Sequence, residues 1–247
     1  MIDNINFLSN NVKGISSTNK RIKLFKYLKK YVAPNGFIFL QETHSSINDE
    51  KKWQDEFEGK LFFSHGKTNS CGVAIGFYGN KKLEIVSQKQ DHLGRILLLE
   101  VKIEETQFVL INIYNPNTET EQSKILNDLL DFIEDVENIN NKKIIFGGDF
   151  NLFFDQNYDA LGGTPTYKKR SLAKVIQIKE SLDLCDIWRT RNPKIKRFTF
   201  RQNHTTGYNQ RRLDYFLVSN ILQESVSETD ILASFCTDHS PIFFCVT

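Results

Sequence analysis

Side chains that could do chemistry stand directly after apolar stretches at several points of the 247-residue sequence. In an open α/β sheet the ligand site lies at the ends of strands, so side chains in such places converge. Two further carboxylates have informative neighbours, because Asp214 lies inside an apolar strand pattern and Asp238 directly precedes His239. A buried acid needs a partner or a metal, and a carboxylate can orient an imidazole ring. The side chains that follow apolar stretches are Asn11, Glu42, Tyr114, Asn117, Asp149 and Asn151.

Together these side chains form a set rich in carboxylates and amides, with a single histidine. Such a set suits a hard divalent cation, Mg²⁺ or Mn²⁺, whereas a zinc site would need more histidines or cysteines. A divalent cation, a carboxylate that activates water, an amide donor and a histidine are the groups that phosphodiester hydrolysis uses. Taken singly, each carboxylate is explained as well by a turn or a helix cap, so the prediction rests on the set.

The elements that position these side chains alternate between strand and helix patterns along the whole chain. No stretch rich in proline, glycine or serine divides the sequence, which favours one domain over residues 1–247. Many strands with a few interspersed helices indicate a mixed α/β sandwich. The patterns predict strands over 2–9, 37–40, 71–77, 83–87, 95–103, 106–113, 143–146 and 241–246, and helices over 19–31, 119–137 and 171–184. They also predict a strand pair, 197–201 and 211–218, joined by a polar loop over 202–210.

Composition excludes several classes of protein. Hydrophobic residues make up 40% of the chain, yet no apolar run approaches the roughly 20 residues of a membrane span. The N-terminus has no basic segment followed by an apolar stretch, so we expect no secretory signal peptide and no membrane association. The four cysteines fit neither a zinc site nor a disulfide framework, which favours buried or half-buried free thiols in a reducing compartment.

Charge is nearly balanced over the whole chain, with 32 basic and 30 acidic residues and a net charge of +2. One segment departs from this balance. Between Trp188 and Leu213 there is no acid, and eight lysines and arginines are interspersed with aromatic residues. A segment of one sign is the electrostatic footprint expected for an anionic polymer such as DNA. On charge alone, a solvated basic surface explains the segment equally well.

Six short motifs follow one another in a fixed order along the chain. They are N-V-K-G at Asn11, Q-E-T-H at Glu42, Y-N-P-N at Tyr114, G-G-D-F-N at Asp149, R-L-D-Y at Asp214 and T-D-H-S at Asp238. This ordered set resembles the endonuclease/exonuclease/phosphatase (DNase I-like) superfamily, and within it the apurinic/apyrimidinic-type endonuclease domain of non-LTR (LINE-type) retrotransposons. The similarity runs from the first strand to the last. It implies an α/β fold of four layers, in which two packed mixed β-sheets are flanked by helices.

The resemblance also implies roles for individual residues. A Mg²⁺ ion, or Mn²⁺ in its place, is expected on Glu42, with Asn11 and Asp238 completing the metal site. The implied catalytic roles are water activation by Asp149, phosphate binding by Tyr114 and Asn151, transition-state stabilisation by His239, and support of these groups by Asp214, Asp238 and Glu42.

DNA contacts are implied for a second set of residues, most of them in the basic segment. In the family the hairpin that corresponds to residues 202–210 inserts into a DNA groove. In this chain the hairpin looks longer than in close relatives, so we expect the chain to differ from them most in its preference for target DNA. Two motif positions also depart from the family pattern, because Asn115 stands where a small residue is common and Thr237 where serine is frequent. The predicted DNA-contacting residues are Asn117, Thr199, Arg201, His204, Asn209, Arg211, Arg212 and Thr237.

The function implied by the resemblance is Mg²⁺-dependent nicking of double-stranded DNA to a 5′-phosphate and a 3′-hydroxyl. The hydroxyl would prime target-primed reverse transcription in the nucleus, by a reverse transcriptase domain expected in the same polypeptide. Abasic-site repair endonucleases, phosphoinositide and sphingolipid phosphodiesterases and deadenylases share most of these motifs and stay open as alternatives. A DNA-binding module without catalysis is the alternative from a different class.

Overall fold

The computed structural model describes residues 4–67, 69–204 and 207–247, apart from the side chain of His204, so the predicted DNA contact of His204 lies outside the described residues. In chain order the strands are β1 (Ile5–Asn11), β2 (Gly36–Gln41), β3 (Lys60–Ser64), β4 (Val73–Tyr78), β5 (Leu83–Gln90), β6 (Ile96–Ile103), β7 (Thr106–Tyr114), β8 (Lys143–Asp149), β9 (Ala160–Leu161), β10 (Leu184–Asp186), β11 (Phe200–His204), β12 (Gly207–Arg211), β13 (Asp214–Ser219), β14 (Val226–Ile231) and β15 (Ile242–Val246). The α-helices are α1 (Thr18–Val32), α2 (Glu50–Glu56), α3 (Glu119–Glu134), α4 (Gln156–Asp159), α5 (Lys169–Ser181) and α6 (Ile187–Arg191).

Two six-stranded sheets pack face to face. The first has the order β14-β15-β1-β2-β4-β3 and the second β10-β13-β8-β7-β6-β5, and each contains one parallel pair, β1 with β2 and β7 with β8. Phe7, Phe39, Leu110 and Phe216 belong to the apolar core between them. Helices α1 and α2 cover the outer face of the first sheet, and α3 and α5 that of the second. The predicted four-layered α/β sandwich is therefore confirmed.

The register of the strands brings the motif residues to one edge of the sandwich. Both parallel pairs end at this edge, where open α/β sheets place their ligand sites. Strand β13 runs antiparallel to β8, so its first residue, Asp214, lies opposite Asp149, the last residue of β8. Strand β15 runs antiparallel to β1, so Asp238 and His239, just before it, return to the same edge.

A buried amide joins the two sheets close to this edge. Asn112 in β7 donates through Nδ2 to the carbonyls of Leu40 in β2, at 3.0 Å, and Ala74 in β4, at 2.9 Å. Its Oδ1 accepts from Nε2 of Gln41 at 2.7 Å. Because an apolar interface offers these groups no other partner, the bonds favour one relative position of the sheets.

A third sheet of three short strands, in the order β11-β12-β9, lies beside the same edge. The predicted pairing of 197–201 with 211–218 is confirmed only where Phe200 pairs with Arg211. Residues 202–204 and 207–210, predicted as part of a polar loop, belong instead to the paired strands β11 and β12. The predicted strand over 211–218 is divided between two sheets, since β12 ends at Arg211 and β13 begins at Asp214. Residues 60–64 and 226–231 form strands that were not predicted; in β14 only the two end residues are buried, so no alternating pattern marks it.

All four cysteines are free thiols, as predicted. Cys185 and Cys245 are buried and Cys71 is half-buried, but Cys236 is exposed, contrary to the expectation that all would be at least half-buried. No helix in the described part of the chain has the length and apolar character needed to cross a bilayer.

Candidate active site

An open cleft of about 530 Å³ lies at the edge where the parallel strands end. Glu42, Tyr114, Asp149, Asn151 and His239 all line it. They come from four separate strand ends of the two large sheets, so it is the sheet register that assembles them.

Asp149 and Asp214 face each other across the neighbouring strands β8 and β13. Both are 1% exposed. Nδ1 of His239 lies 2.9 Å from Oδ2 of Asp214, and a hydrogen bond donated by this nitrogen fixes the orientation of the ring. The second oxygen of Asp214, Oδ1, is buried with no hydrogen-bond partner among the described residues.

Electrostatics keep the His239 ring protonated at neutral pH. Burial alone would lower the pKa of His239, but the Asp214 carboxylate, with help from Asp149, raises it to about 9. Burial, and then the charge of Asp214, raise the pKa of Asp149 above its ordinary value, against the opposing effects of His239 and of a hydrogen bond from Asn11. A carboxylate with a raised pKa is a stronger base than an ordinary aspartate.

The Glu42 carboxylate is held beside Asp149 by two donors. The Tyr114 hydroxyl donates to Oε1 of Glu42 at 2.6 Å, and Nδ2 of Asn11 donates to the same oxygen at 2.9 Å. The Asn11 amide also donates to Oδ2 of Asp149 at 3.0 Å, so one side chain ties the two carboxylates together. Burial and the Glu42 carboxylate raise the pKa of the Tyr114 hydroxyl well above its usual range, so it remains a donor.

Ligand atoms for a divalent metal are present at two places in or next to the cleft. The first is Asp149, Asp214 and His239, whose ligand atoms lie within 4.8 Å of one another. A protonated ring that donates to Asp214 has no lone pair at Nδ1 to offer, so the carboxylates are the better donors. The second is Glu42, whose side chain is 24% exposed. Carboxylate oxygens of this kind suit a hard cation such as Mg²⁺.

Asp238, a predicted metal ligand, lies in an ion pair, with Oδ2 2.6 Å from Nζ of Lys13. Burial alone would raise the pKa of Asp238, but the bond from Lys13 and the nearby His239 hold it below its usual range. The adjacent Thr237 hydroxyl donates to the carbonyl of Asn11 at 2.9 Å, which ties this loop to β1. The charges of Lys13 and Asp238 therefore offset each other.

Asn151 has a left-handed backbone, with φ of 49°, two residues after the end of β8. Its Nδ2 donates to the carbonyl of Asn115 at 2.8 Å. Its own carbonyl accepts from Nε2 of Gln122 at 3.1 Å and from the ammonium of Lys168. Asn115, which departs from the family pattern, is buried and donates to the carbonyl of Phe150 at 3.1 Å. The turn that carries Asn151 is therefore held from several sides.

Three of the predicted DNA-contacting residues are buried: Arg211, which lines the cleft, and Arg212 and Thr199, which are not among the residues that line it. Arg212 is 1% exposed, and its guanidinium donates to Asp159 at 2.8 Å and to Asp186 at 2.7 Å. Thr199 is also 1% exposed, and its hydroxyl accepts from two backbone amides around the start of β13. The structure contradicts the predicted surface contacts of both residues. The sequence does not reveal that two acids distant along the chain are the partners of Arg212.

Other predicted DNA-contacting residues lie on or near the cleft. Asn117 is exposed and lines it together with Arg211, whose guanidinium donates to backbone carbonyls of the segment after α4. On the hairpin, the Arg201 guanidinium lies 5.2 Å from the ring centroid of Tyr208, and both residues are exposed. Asn209 is half-buried on the same hairpin.

Sequence reasoning missed three charged or titratable residues at the cleft. Lys13 lies within the first motif and pairs with Asp238. Nε2 of His44 lies 4.0 Å from Oε2 of Glu42. Lys168 lines the cleft beside Asn151. Motif membership was a usable signal for Lys13 and His44, whereas nothing in the sequence separates Lys168 from the many surface lysines.

Comparison with known protein families shows which family the chain belongs to. Residues 4–239 match the Endonuclease/Exonuclease/phosphatase family. The chain belongs to this family. It is also similar to the transposon TX1 uncharacterized 149 kDa protein of Xenopus laevis, with 30% identity over 231 residues. That match covers 93% of this chain but 17% of the relative, so the chain spans a small part of the relative's length.

Solved structures share the fold at much lower identity. The APE2 catalytic domain of Xenopus laevis superposes with a TM-score of 0.75 and 19% identity, over 98% of this chain and 92% of that one. The AP endonuclease LMAP of Leishmania major superposes with a TM-score of 0.73 and 16% identity, over 98% of this chain and 87% of that one. For an AP endonuclease of Archaeoglobus fulgidus the TM-score is 0.73 and the identity 17%, over 97% of this chain and 98% of that one. The family assignment and this shared fold support a phosphodiesterase or nuclease.

Proposed function

We propose that the chain is a metal-dependent DNA endonuclease that nicks one strand of a duplex and leaves a 5′-phosphate and a 3′-hydroxyl. The observation that carries the proposal is the buried Asp149–His239–Asp214 group next to Glu42, at the bottom of a cleft that is open to solvent. Family membership and the similarity to a transposon protein support nuclease chemistry on DNA.

Mg²⁺, with Mn²⁺ as a substitute, is the proposed cofactor. Glu42 is the residue that would hold it, with Asn11 and Asp149 beside it, because the Glu42 carboxylate is partly exposed to the cleft. When bound, such a cation offsets phosphate charge and polarises the phosphoryl and leaving oxygens. Tyr114 keeps the Glu42 carboxylate oriented through its 2.6 Å hydrogen bond.

The chain's own residues supply the proton transfers and the charge stabilisation. Asp149 accepts a proton from the attacking water, and general-base assistance of this kind is typically worth about 10²–10⁴-fold. The protonated His239 donates to a non-bridging phosphate oxygen through the ring nitrogen that Asp214 does not engage. The Asn151 amide adds a second donor where negative charge develops.

The 3′-hydroxyl would serve as a primer for reverse transcription of a mobile element. The chain corresponds to 17% of its transposon relative, which is consistent with a nuclease domain inside a larger polypeptide. We propose that residues 1–247 form that single domain, that a reverse transcriptase domain lies elsewhere in the same polypeptide, and that the protein acts on double-stranded DNA in the nucleus.

Nicking of a supercoiled plasmid in Mg²⁺ tests the proposal. Wild type should convert the plasmid to the open-circular form, whereas Asp149→Ala should not. The matched control is Asp131→Ala, which removes an exposed acid on α3 and should nick at the wild-type rate. Near-wild-type nicking by Asp149→Ala would overturn the assignment of the base.

An abasic oligonucleotide duplex separates the proposal from its nearest alternative. Cutting of that duplex with no nicking of the plasmid would mark a repair endonuclease. Inactivity on both substrates would contradict nuclease function and favour a lipid phosphodiesterase or a DNA-binding module. Mapping the nicks by primer extension then shows whether they cluster at one sequence or scatter over flexible T/A-rich steps, where DNA is easily deformed.

A further inference from the structure

Lys168 is a cation of the cleft with no role in the mechanism described so far. It directly precedes α5, is half-buried, and lines the cleft with Asp149 and Asn151. Its ammonium donates to the backbone carbonyl of Asn151, a residue that also lines the cleft beside Asp149. Lysine has three donors, so this bond leaves others available.

The charge of Lys168 is not cancelled by a contact, unlike that of Lys13. Lys13 forms a 2.6 Å ion pair with Asp238. Among the described residues, no carboxylate lies within ion-pair distance of the Lys168 ammonium, and its described hydrogen bond is to a carbonyl. Burial lowers the pKa of Lys168, and the Asp149 and Glu119 carboxylates oppose this only by attraction at longer range. The nearby Glu119 carboxylate is used by the start of α5, where it accepts from the backbone amide of Arg170 at 2.7 Å.

A half-buried ammonium needs a partner for its charge, because partial removal from water weakens its solvation. Phosphate oxygens of a bound strand would supply that partner. Arg211 also lines the cleft; it is 9% exposed, and its described hydrogen bonds are to carbonyls. The lysines and arginine that line the cleft therefore differ: Lys13 is in an ion pair, whereas Lys168 and Arg211 have none among the described residues.

We propose that Lys168 binds a backbone phosphate of the strand being cut, next to Asn151, and so defines the side of the cleft along which that strand runs. The inference rests on the proposed function, since it takes DNA as the substrate. It adds a phosphate-binding residue that neither the motifs nor the family match marks.

The test measures binding of a duplex oligonucleotide in EDTA, so that the strand is not cut, at a series of NaCl concentrations. The slope of log K against log salt is negative, and each lost phosphate contact lowers its magnitude by about 0.9. Lys168→Met should show this decrease and bind roughly tenfold more weakly, as expected for loss of a charge-assisted hydrogen bond. Lys168→Arg should keep the wild-type slope, because it keeps the charge and the donors.

The matched control is Lys169→Met, which removes the same charge from the exposed neighbouring residue. Its salt slope should equal that of wild type. An unchanged slope for Lys168→Met, or equal decreases for Lys168→Met and Lys169→Met, would overturn the proposal, since the effect would then be absent or due to general charge.

Folding and function are checked separately in the same experiment. Circular dichroism and the melting temperature of each variant exclude unfolding, and Lys168→Gln serves as a second neutral variant if Lys168→Met does not fold. Wild type that neither nicks plasmid nor binds duplex contradicts the proposed function. Wild type that does both, beside a Lys168→Met variant with an unchanged slope, contradicts this inference alone.

Discussion

Replacing Asp214 by asparagine removes one charge from the buried centre of the site while keeping the shape of the side chain. In the wild type, Oδ2 of Asp214 accepts the hydrogen bond from Nδ1 of His239 at 2.9 Å, and both residues are buried. An asparagine at 214 keeps an acceptor there but not the negative charge. Asp214→Asn should therefore lower the pKa of His239 strongly, because burial of the ring, which favours the neutral form, is no longer opposed by an adjacent anion.

The magnitude follows from the wild-type shift. The pKa of His239 is raised from 6.5 to about 9, which corresponds to about 3 kcal/mol between the two protonation states. Because the folded-state pKa is the higher one, this stabilisation is fully present below pH 6.5 and is lost as the pH rises through about 9. Asp214→Asn should thus lower the free energy of unfolding by about 3 kcal/mol at pH 6, with the difference from wild type disappearing near pH 10.

Two measurements on metal-free protein check this prediction. An NMR titration follows the ring signals of His239 in wild type and in Asp214→Asn. The exposed His92, in the turn between β5 and β6, is the internal reference, and its ring signals should be the same in the two proteins. Urea unfolding at pH 6 and pH 10 measures the stability difference. A His239 pKa that stays near 9 in Asp214→Asn would refute the reasoning, and so would a stability difference that does not depend on pH.

Two further predictions concern residues that support the site. Arg212→Met should lower the free energy of unfolding by about 3–5 kcal/mol, because Asp159 and Asp186 lose their buried partner. Urea unfolding measures this change, and a loss below about 1 kcal/mol would show that the ion pairs contribute little. Tyr114→Phe should keep the fold but raise the Mg²⁺ concentration for half-maximal nicking several-fold, since it removes the hydrogen bond to Glu42. An unchanged Mg²⁺ dependence of nicking would count against a metal on Glu42.

The mixed α/β sandwich and most of the acidic side chains of the cleft were predictable from local sequence patterns, whereas the four layers were implied by the family resemblance. Strands such as β2 and β8 are continuous apolar runs followed at once by Glu42 or by the Gly-Gly-Asp149 motif, and the carboxyl ends of strands meet at one edge of a sheet. The sequence predicts that Asp214 is a buried acid in an apolar strand, and it is 1% exposed and bonded to His239. Patterns of this kind succeed because burial and strand direction decide where such side chains lie.

What could not be predicted depends on contacts between residues that are distant along the chain. Arg212 looks like a surface cation until α4 and β10 bring Asp159 and Asp186 against it. The hairpin of β11 and β12 is built from polar residues, so no apolar alternation separates its strands from a loop. The ion pair of Lys13 with Asp238 joins positions 225 residues apart. Local patterns carry no information on such partners.

The chemistry of the cut ends tests the central claim most directly. Plasmid nicked by the wild-type protein in Mg²⁺ is offered, without further treatment, to a DNA polymerase and, in a parallel reaction, to a DNA ligase. Attack of water activated by Asp149 and departure of the 3′-oxygen leave a 3′-hydroxyl and a 5′-phosphate, so the polymerase should extend the nick and the ligase should seal it. The opposite result would be nicks that the polymerase extends only after a phosphatase has removed a 3′-phosphate, and that the ligase seals only after a kinase has also phosphorylated the 5′-hydroxyl.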